Sequence, residues 1–175
     1  MSMEATLETV DLSTLDMYCS VGQKSYREHY LHLWENEDPT PYIAHSLEKS
    51  VVMQELEDPN AAHYLVKVGQ EVAGIVKLVK NCGIDELSDD ISLKAEKIYL
   101  LKAHSGKGLG KKVLQLIEQE ALALKKKVIW LDTMQKGNPI QFYQKNGFVV
   151  KRESELTLAG AKASEKAMYI LTKTL

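Results

Sequence analysis

Between residues 97 and 114 the chain reads Lys97-Ile-Tyr-Leu-Leu-Lys-Ala-His-Ser-Gly-Lys-Gly-Leu-Gly-Lys-Lys-Val-Leu114. An apolar run leads into three alternate glycines, and an amphipathic helix pattern starts directly after them. Glycine has no Cβ, so Gly106, Gly108 and Gly110 let another group approach the backbone closely. The first amides of a helix have no partner inside the helix. The aligned peptide dipoles put roughly half a positive charge at that end. A strand, a glycine loop and a helix start in this order form a site suited to phosphate.

Two common phosphate loops fit poorly. A Walker loop has four residues between its first glycine and Gly-Lys-Ser/Thr. Here three residues separate Gly106 from Gly110, and Lys112 stands where the hydroxyl residue belongs. A dinucleotide fingerprint is Gly-x-Gly-x-x-Gly in an early βαβ unit, whereas this loop is Gly-x-Gly-x-Gly and lies past mid-chain. Taken alone, a glycine turn without a ligand stays open.

Downstream, a strand-like run Lys127-Val-Ile-Trp-Leu-Asp132 precedes Asn138-Pro-Ile-Gln-Phe-Tyr-Gln-Lys-Asn-Gly-Phe148. The two motifs together resemble the GNAT superfamily of acetyl-CoA-dependent N-acetyltransferases. That family has a strand and an Arg/Gln-x-x-Gly-x-Gly/Ala loop for pyrophosphate, then a short helix carrying a tyrosine and closed by Gly-Phe. The resemblance covers residues 91–150, and within the family it is nearest in look to polyamine acetyltransferases of the PaiA type. It implies a mixed α/β fold: a mostly antiparallel central sheet of six to seven strands with helices on both faces. It departs from the family pattern at Ser105, where the Gln/Arg would stand, and at Lys136, where the family often has an asparagine. Asn138 is carried into that role.

A chain of 175 residues suits one domain, residues 1–175. A net charge of −2 gives no general pull on nucleic acid. No apolar run reaches the length of about 20 residues that spans a bilayer, and no basic-then-apolar leader opens the chain. Cys19 and Cys82 lack metal spacing and read as reduced thiols of a cytoplasmic protein. The scattered histidines complete no ligand set, so no metal is expected.

The pattern predicts a strand over 6–10, then a helix capped by Asp11 or Ser13 with Leu15, Tyr18, Cys19, Val21 and Tyr26 on its apolar side. It predicts a helix over 41–56, hairpin strands over 62–68 and 72–79 around Gly69-Gln70, and a polar acidic loop over 81–90. A strand over 91–101 follows. The helix after the glycines places Val113, Leu114, Ile117, Ala121 and Leu124 on one face. A helix over 138–146 stopped by Gly147 comes next, with strands near 148–158 and 167–172.

The resemblance assigns roles by residue. Acetyl-CoA would be the cosubstrate, its pyrophosphate held by the amides of Gly106, Lys107, Gly108, Leu109, Gly110 and Lys111, with charge from Lys107, Lys111 and Lys112. Ile98, Tyr99 and Leu100 correspond to a strand that pairs with the pantetheine arm, with an amide near Leu100 facing the thioester oxygen. Tyr143 corresponds to the acid that protonates the departing thiolate. Glu96, placed with Ile98 and Leu100 on one face by period-2 alternation, is the candidate general base. The acceptor would be a small-molecule amine. Two acidic clusters, Glu35/Glu37/Asp38 and Asp85/Glu86/Asp89/Asp90, would attract a polyamine such as spermidine. Residues 26–34 line an acceptor slot or belong to helix core. A protein or peptide acceptor, a CoA-binding sensor without turnover, and a homodimer through the late strands remain open at this point.

Overall fold

The computed structural model describes residues 4–175. Seven strands form one sheet: β1 (Ala5–Thr9), β2 (Ala61–Val68), β3 (Glu71–Val79), β4 (Ser92–Leu100), β5 (Val128–Met134), β6 (Val149–Glu155) and β7 (Ala167–Thr174). Their spatial order is β1-β2-β3-β4-β5-β7-β6. Every pairing is antiparallel except β4 with β5. A parallel pair needs a crossover, and that crossover is the helix after the glycine loop.

Five helices cover the sheet: α1 (Leu15–Tyr30), α2 (Thr40–Ser46), α3 (Lys49–Glu55), α4 (Leu109–Ala123) and α5 (Pro139–Lys145). Two apolar clusters result. One holds α4 residues Leu109, Val113, Leu114, Ile117 and Ala121 with Val76, Leu93, Ala95, Ile129 and Leu131. The other packs α1, α2 and α3 through Leu15, Tyr18, Val21, Leu47 and Val52 against Leu65 and Ile75. The α4 stripe follows the helical period as predicted, with one exception. Leu124 is 40% exposed because it caps the helix rather than continuing it.

Two other expectations are corrected. The single helix over 41–56 is two helices, α2 and α3, broken at Leu47 and Glu48, whose backbone leaves helical geometry. Leu47 is fully buried, so packing draws this residue inward and overrides local propensity. The N-cap of α1 is Thr14, and its side chain makes no capping bond. Asp11 instead closes the preceding turn, its carboxylate accepting from the Ser13 and Thr14 amides at 2.8 and 3.2 Å.

The acidic loop 81–90 is held from beneath by Lys126, which is buried. Its ammonium donates to Asn81 Oδ1 at 2.5 Å and to the carbonyls of Asp89 and Asp90 at 3.1 and 2.9 Å. All three donors are used, and removing them leaves the acceptors without partners. Lys126→Met is expected to destabilise the fold by about 2 kcal/mol, lowering Tm by roughly 4–8 °C. Thermal denaturation checks this; a Tm within a degree of the parent's would contradict it.

Candidate active site

The strands β4 and β5 pair only over Ser92–Lys94 against Val128–Trp130. Beyond that they part. Residues 95–99 of β4 and 131–134 of β5 line the opening, a cavity of about 630 Å3. The β4 backbone shows which groups face it. The Leu101 amide donates to Ala73 on β3 at 2.8 Å. Leu101 therefore belongs to the hydrogen-bonded rungs of this antiparallel ladder, and so does Tyr99, which lies opposite Ile75. Ile98 and Leu100 occupy the alternate rungs, so their amides and carbonyls point away from β3. The Leu100 carbonyl is met by His29 Nε2 at 2.9 Å. Tyr99, grouped with Ile98 and Leu100 on the sequence, differs from them: its backbone is committed to β3, and its ring lines the cavity.

β4 runs on to the glycine loop. Gly106 and Gly108 adopt left-handed φ of 74° and 79°, a conformation that L side chains rarely adopt. Nothing lies within 4 Å of where a Cβ would stand on either. Gly108 is the N-cap of α4, and buried Leu109 anchors the helix start in the core. Lys107 and Lys111 are exposed and Lys112 is half-buried. Gly110 does something else. A Cβ there would stand 2.9 Å from the Phe142 ring, so this glycine lets α5 press against the first turn of α4.

α5 carries Tyr143, which lines the cavity. Its ring packs edge-on against Phe142 and Phe148, with centroids at 5.3 and 5.6 Å. Burial raises the phenol well above its usual range, and nearby Tyr30 and Asp132 add to the effect. The hydroxyl stays protonated at every physiological pH. The far end of α5 is held by Lys173 on β7, whose ammonium donates to the Asn146 carbonyl at 2.7 Å and pairs with Glu118 of α4.

Glu96 does not lie where alternation puts it. Lys77 pairs with Lys97 and Leu78 with Ala95, so Glu96 is the extra residue of a bulge. Ile98 and Leu100 pack toward the α4 cluster. Glu96 lies on the opposite face, 2.7 Å from Lys77 and 3.2 Å from Lys97, and Lys77 also pairs with Glu55 of α3. Burial alone would raise the Glu96 carboxyl. The Lys97 and Lys77 ammoniums outweigh that and lower it to about 2. Alkylammonium groups titrate near 10.4, so taking a proton from one would run strongly uphill for this carboxylate. Glu96 lines the cavity as a fixed negative charge and is a poor general base.

The sequence left residues 26–34 as slot or core, and they serve both ends. Trp34 is fully buried and donates from Nε1 to the Tyr26 hydroxyl at 2.9 Å. Tyr26 and Tyr30 line the cavity with Tyr42 and Tyr99. Tyr26 stacks on Tyr42 at 4.2 Å and leans on Tyr30 at 4.9 Å, and the Tyr42 and Tyr99 hydroxyls are hydrogen-bonded. Lys94 and Lys97 line the same cavity, as do Asp132 and Glu155. Sequence reasoning missed all four. Asp132 had a signal: a carboxylate inside an otherwise apolar strand run.

The loop 81–90 is not the free acidic attractor expected. Asp85 pairs with Arg152 at 2.8 Å and Glu86 with Lys151 at 2.6 Å. Asp89 accepts the Gly83 amide at 2.6 Å. Asn138 is exposed at the N-cap of α5 with no side-chain capping bond, beside Pro139 at the cavity wall. Ser105 turns back to the Lys102 carbonyl at 2.7 Å, and Lys136 pairs with Glu165 at 3.5 Å. Among the described residues no group of three His, Cys, Asp or Glu is placed to hold a metal, and no helix is long and apolar enough to cross a membrane.

Solved structures share this fold. PaiA N-acetyltransferase from Thermoplasma acidophilum, solved with coenzyme A, superposes with a TM-score of 0.75 at 17% identity, covering 99% of this chain and 100% of that one. The spermidine/spermine N-acetyltransferase SpeG from Vibrio cholerae gives 0.69 at 16% identity, covering 98% and 92%. In sequence, an uncharacterised N-acetyltransferase in the pepI 3' region of Lactobacillus delbrueckii subsp. lactis is 24% identical over 172 residues, 97% of this chain and 98% of the relative. The family model described as acetyltransferase (GNAT) domain matches residues 59–150, which takes in β2 to β5, the glycine loop and α5. With its parted strands, open glycine loop and tyrosine-bearing α5, the chain belongs to the GNAT family of N-acetyltransferases.

Proposed function

We propose that this enzyme, acting as one domain, moves an acetyl group from acetyl-CoA to a primary amine of a small molecule, a polyamine such as spermidine, by direct attack in a ternary complex. The observation that carries this reading is the opening between β4 and β5, with the outward backbone of Ile98 and Leu100 on one side and Tyr143 at its wall. The neighbouring SpeG fold, a spermidine/spermine N-acetyltransferase, supports the polyamine as acceptor. The two free cysteines, Cys19 and Cys82, fit a reducing compartment, and we place the enzyme in the cytoplasm.

Each residue then has a task. The amides of residues 106–111, with Lys107 and Lys111 beside them, hold the pyrophosphate. Ile98 pairs with the pantetheine arm, and Asn138 contacts it from the start of α5. The Leu100 amide donates to the thioester oxygen as that atom takes up negative charge. The acceptor nitrogen, neutral when it attacks, forms the new C–N bond as the C–S bond breaks, and its surplus proton leaves to water. Tyr143 gives its proton to the sulfur. Among the described residues that line the cavity there is no cysteine, which favours direct transfer over an acetylated enzyme.

Free-thiol release from acetyl-CoA, measured with spermidine, spermine, amino acids and short peptides, tests the reading. Saturable release with a polyamine is expected. Silence across the panel, with CoA still raising the Tm, would overturn it and leave a CoA-binding module.

A further inference from the structure

An acceptor amine reaches the cavity as an ammonium and attacks only once neutral, so its first proton needs a taker. Glu96 is too acidic for that. Beside it lies Lys97, 3% exposed, which lines the cavity along with the tyrosine wall of Tyr30, Tyr42 and Tyr99. The strand register sets Lys97 directly opposite Lys77 on β3, and like charges so placed destabilise each other. Two carboxylates serve the two lysines, and they are shared unequally. Lys77 meets both Glu55 of α3 and Glu96, the latter at 2.7 Å. Lys97 meets Glu96 alone, at 3.2 Å. The other polar neighbours do not repair this. His63 of β2 turns to Glu55 at 3.6 Å, Lys94 sits over the Trp130 ring, and the Tyr42 hydroxyl is bonded to Tyr99. Tyr18 of α1, His45 of α2 and Asp132 of β5 make no bond to Lys97, whose one described partner is Glu96. Burial works against both ammoniums. At Lys77 the two carboxylates win and raise it. At Lys97 burial wins over Glu96, with Lys77 pushing the same way as burial. Neighbouring groups pushed apart in this way mark an acid–base site.

We propose that Lys97 is the general base of this enzyme: its neutral Nζ takes a proton from the acceptor ammonium, through one water, before the nitrogen attacks. Lys97 stands three residues before Leu100, about 10 Å along the strand, a span that its side chain and one water cover between them. The Nζ lone pair becomes an N–H bond, an N–H bond of the acceptor breaks, and one positive charge passes from substrate to enzyme. The transfer balances the buried cluster. Before it, Glu55 and Glu96 face the single charge of Lys77; after it, two ammoniums face two carboxylates. Once product leaves, Lys97 gives the proton to water. A lysine tuned down by burial suits a base working near neutral pH, and such bases contribute about 10²–10⁴-fold. This rests on the acetyltransferase reading above and makes a separate claim about the proton.

Lys97→Arg keeps the positive charge but cannot give up its proton. With spermidine at pH 7, kcat/KM is expected to fall about a hundredfold. At pH 10 the loss is expected to shrink to within about threefold. An alkylamine that titrates near 10.4 is then partly neutral by itself, against about one molecule in 2,500 at pH 7. The parent's profile should level off before the amine titrates, whereas the variant's should keep rising. A merely structural loss would be equal at both pH values, and that result overturns the proposal, as does an unchanged kcat/KM at pH 7. Carbon-13 NMR of the lysine Cε signals reads the base without turnover, Lys97 being assigned by its loss in Lys97→Arg or, where arginine does not fold, in Lys97→Met. Lys97 is expected to titrate below the exposed lysines. Titration together with them overturns the proposal even when spermidine is acetylated. Thiol release absent across the whole amine panel is the failure of the acetyltransferase reading; release present with parallel pH profiles is the failure of Lys97 alone.

Discussion

Tyr143→Phe is expected to lower kcat by about two to three orders of magnitude while leaving the KM for acetyl-CoA within about twofold. The departing thiolate needs a proton, and Tyr143 lines the cavity next to the parted strands. Burial raises its phenol, so the group holds its proton at assay pH and is available in every turnover. The substitution removes one oxygen and keeps the ring, so the edge-on packing on Phe142 and Phe148 persists and the Tm should barely move. Steady-state thiol release at saturating acetyl-CoA measures this directly. A kcat within twofold of the parent's would remove Tyr143 from the chemistry and send the proton to the sulfur by another route.

Gly110→Val is expected to cost about a hundredfold in kcat for a purely geometric reason. Even a Cβ at position 110 would come within 2.9 Å of Phe142 Cζ and 3.3 Å of Cε2, and valine adds two more carbons. The ring cannot bend away, so α5 must shift, and Tyr143 follows Phe142 directly in that helix. Displacing a reacting group by about 1 Å can cost about 10²-fold. Phe142→Leu trims the obstructing ring, and the double variant Gly110→Val/Phe142→Leu is expected to regain most of the loss. A double-mutant cycle on kcat decides the point. Additive losses would show that the glycine serves only the phosphate loop.

These two results concern features that differ in how far the sequence shows them. The glycine loop, Tyr143 and the stop at Gly147 are local: each depends on a few consecutive residues, and their spacing is visible in one dimension. The role of Gly110 is half visible. Its place in the motif is plain, but that it faces Phe142 depends on two helices meeting. The tyrosine wall is almost invisible. Tyr26 and Tyr30 are one helical turn apart, whereas Tyr42 and Tyr99 arrive from α2 and β4 and meet only through the fold. The break at Leu47 has no proline or glycine to announce it; core burial of one leucine produces it. Asp132 and Glu155, far apart in sequence, come to one cavity only through the strand order β5-β7-β6. The face occupied by Glu96 was misread because strict alternation assumes an unbroken ladder.

That interruption bears on how this chain can change over time. The bulge at Glu96 acts as a phase shifter: one surplus residue turns everything after it by half a period. Losing that residue, or gaining one between 94 and 101, would turn Tyr99 toward α4, turn Ile98 away from it and swap the two sets of backbone groups. Substitutions here alter a contact, whereas a single insertion or deletion exchanges inside for outside across the whole site. Natural variants of this enzyme should therefore differ in length within the exposed parts of loop 81–90 while keeping an invariant residue count from β4 to the first glycine.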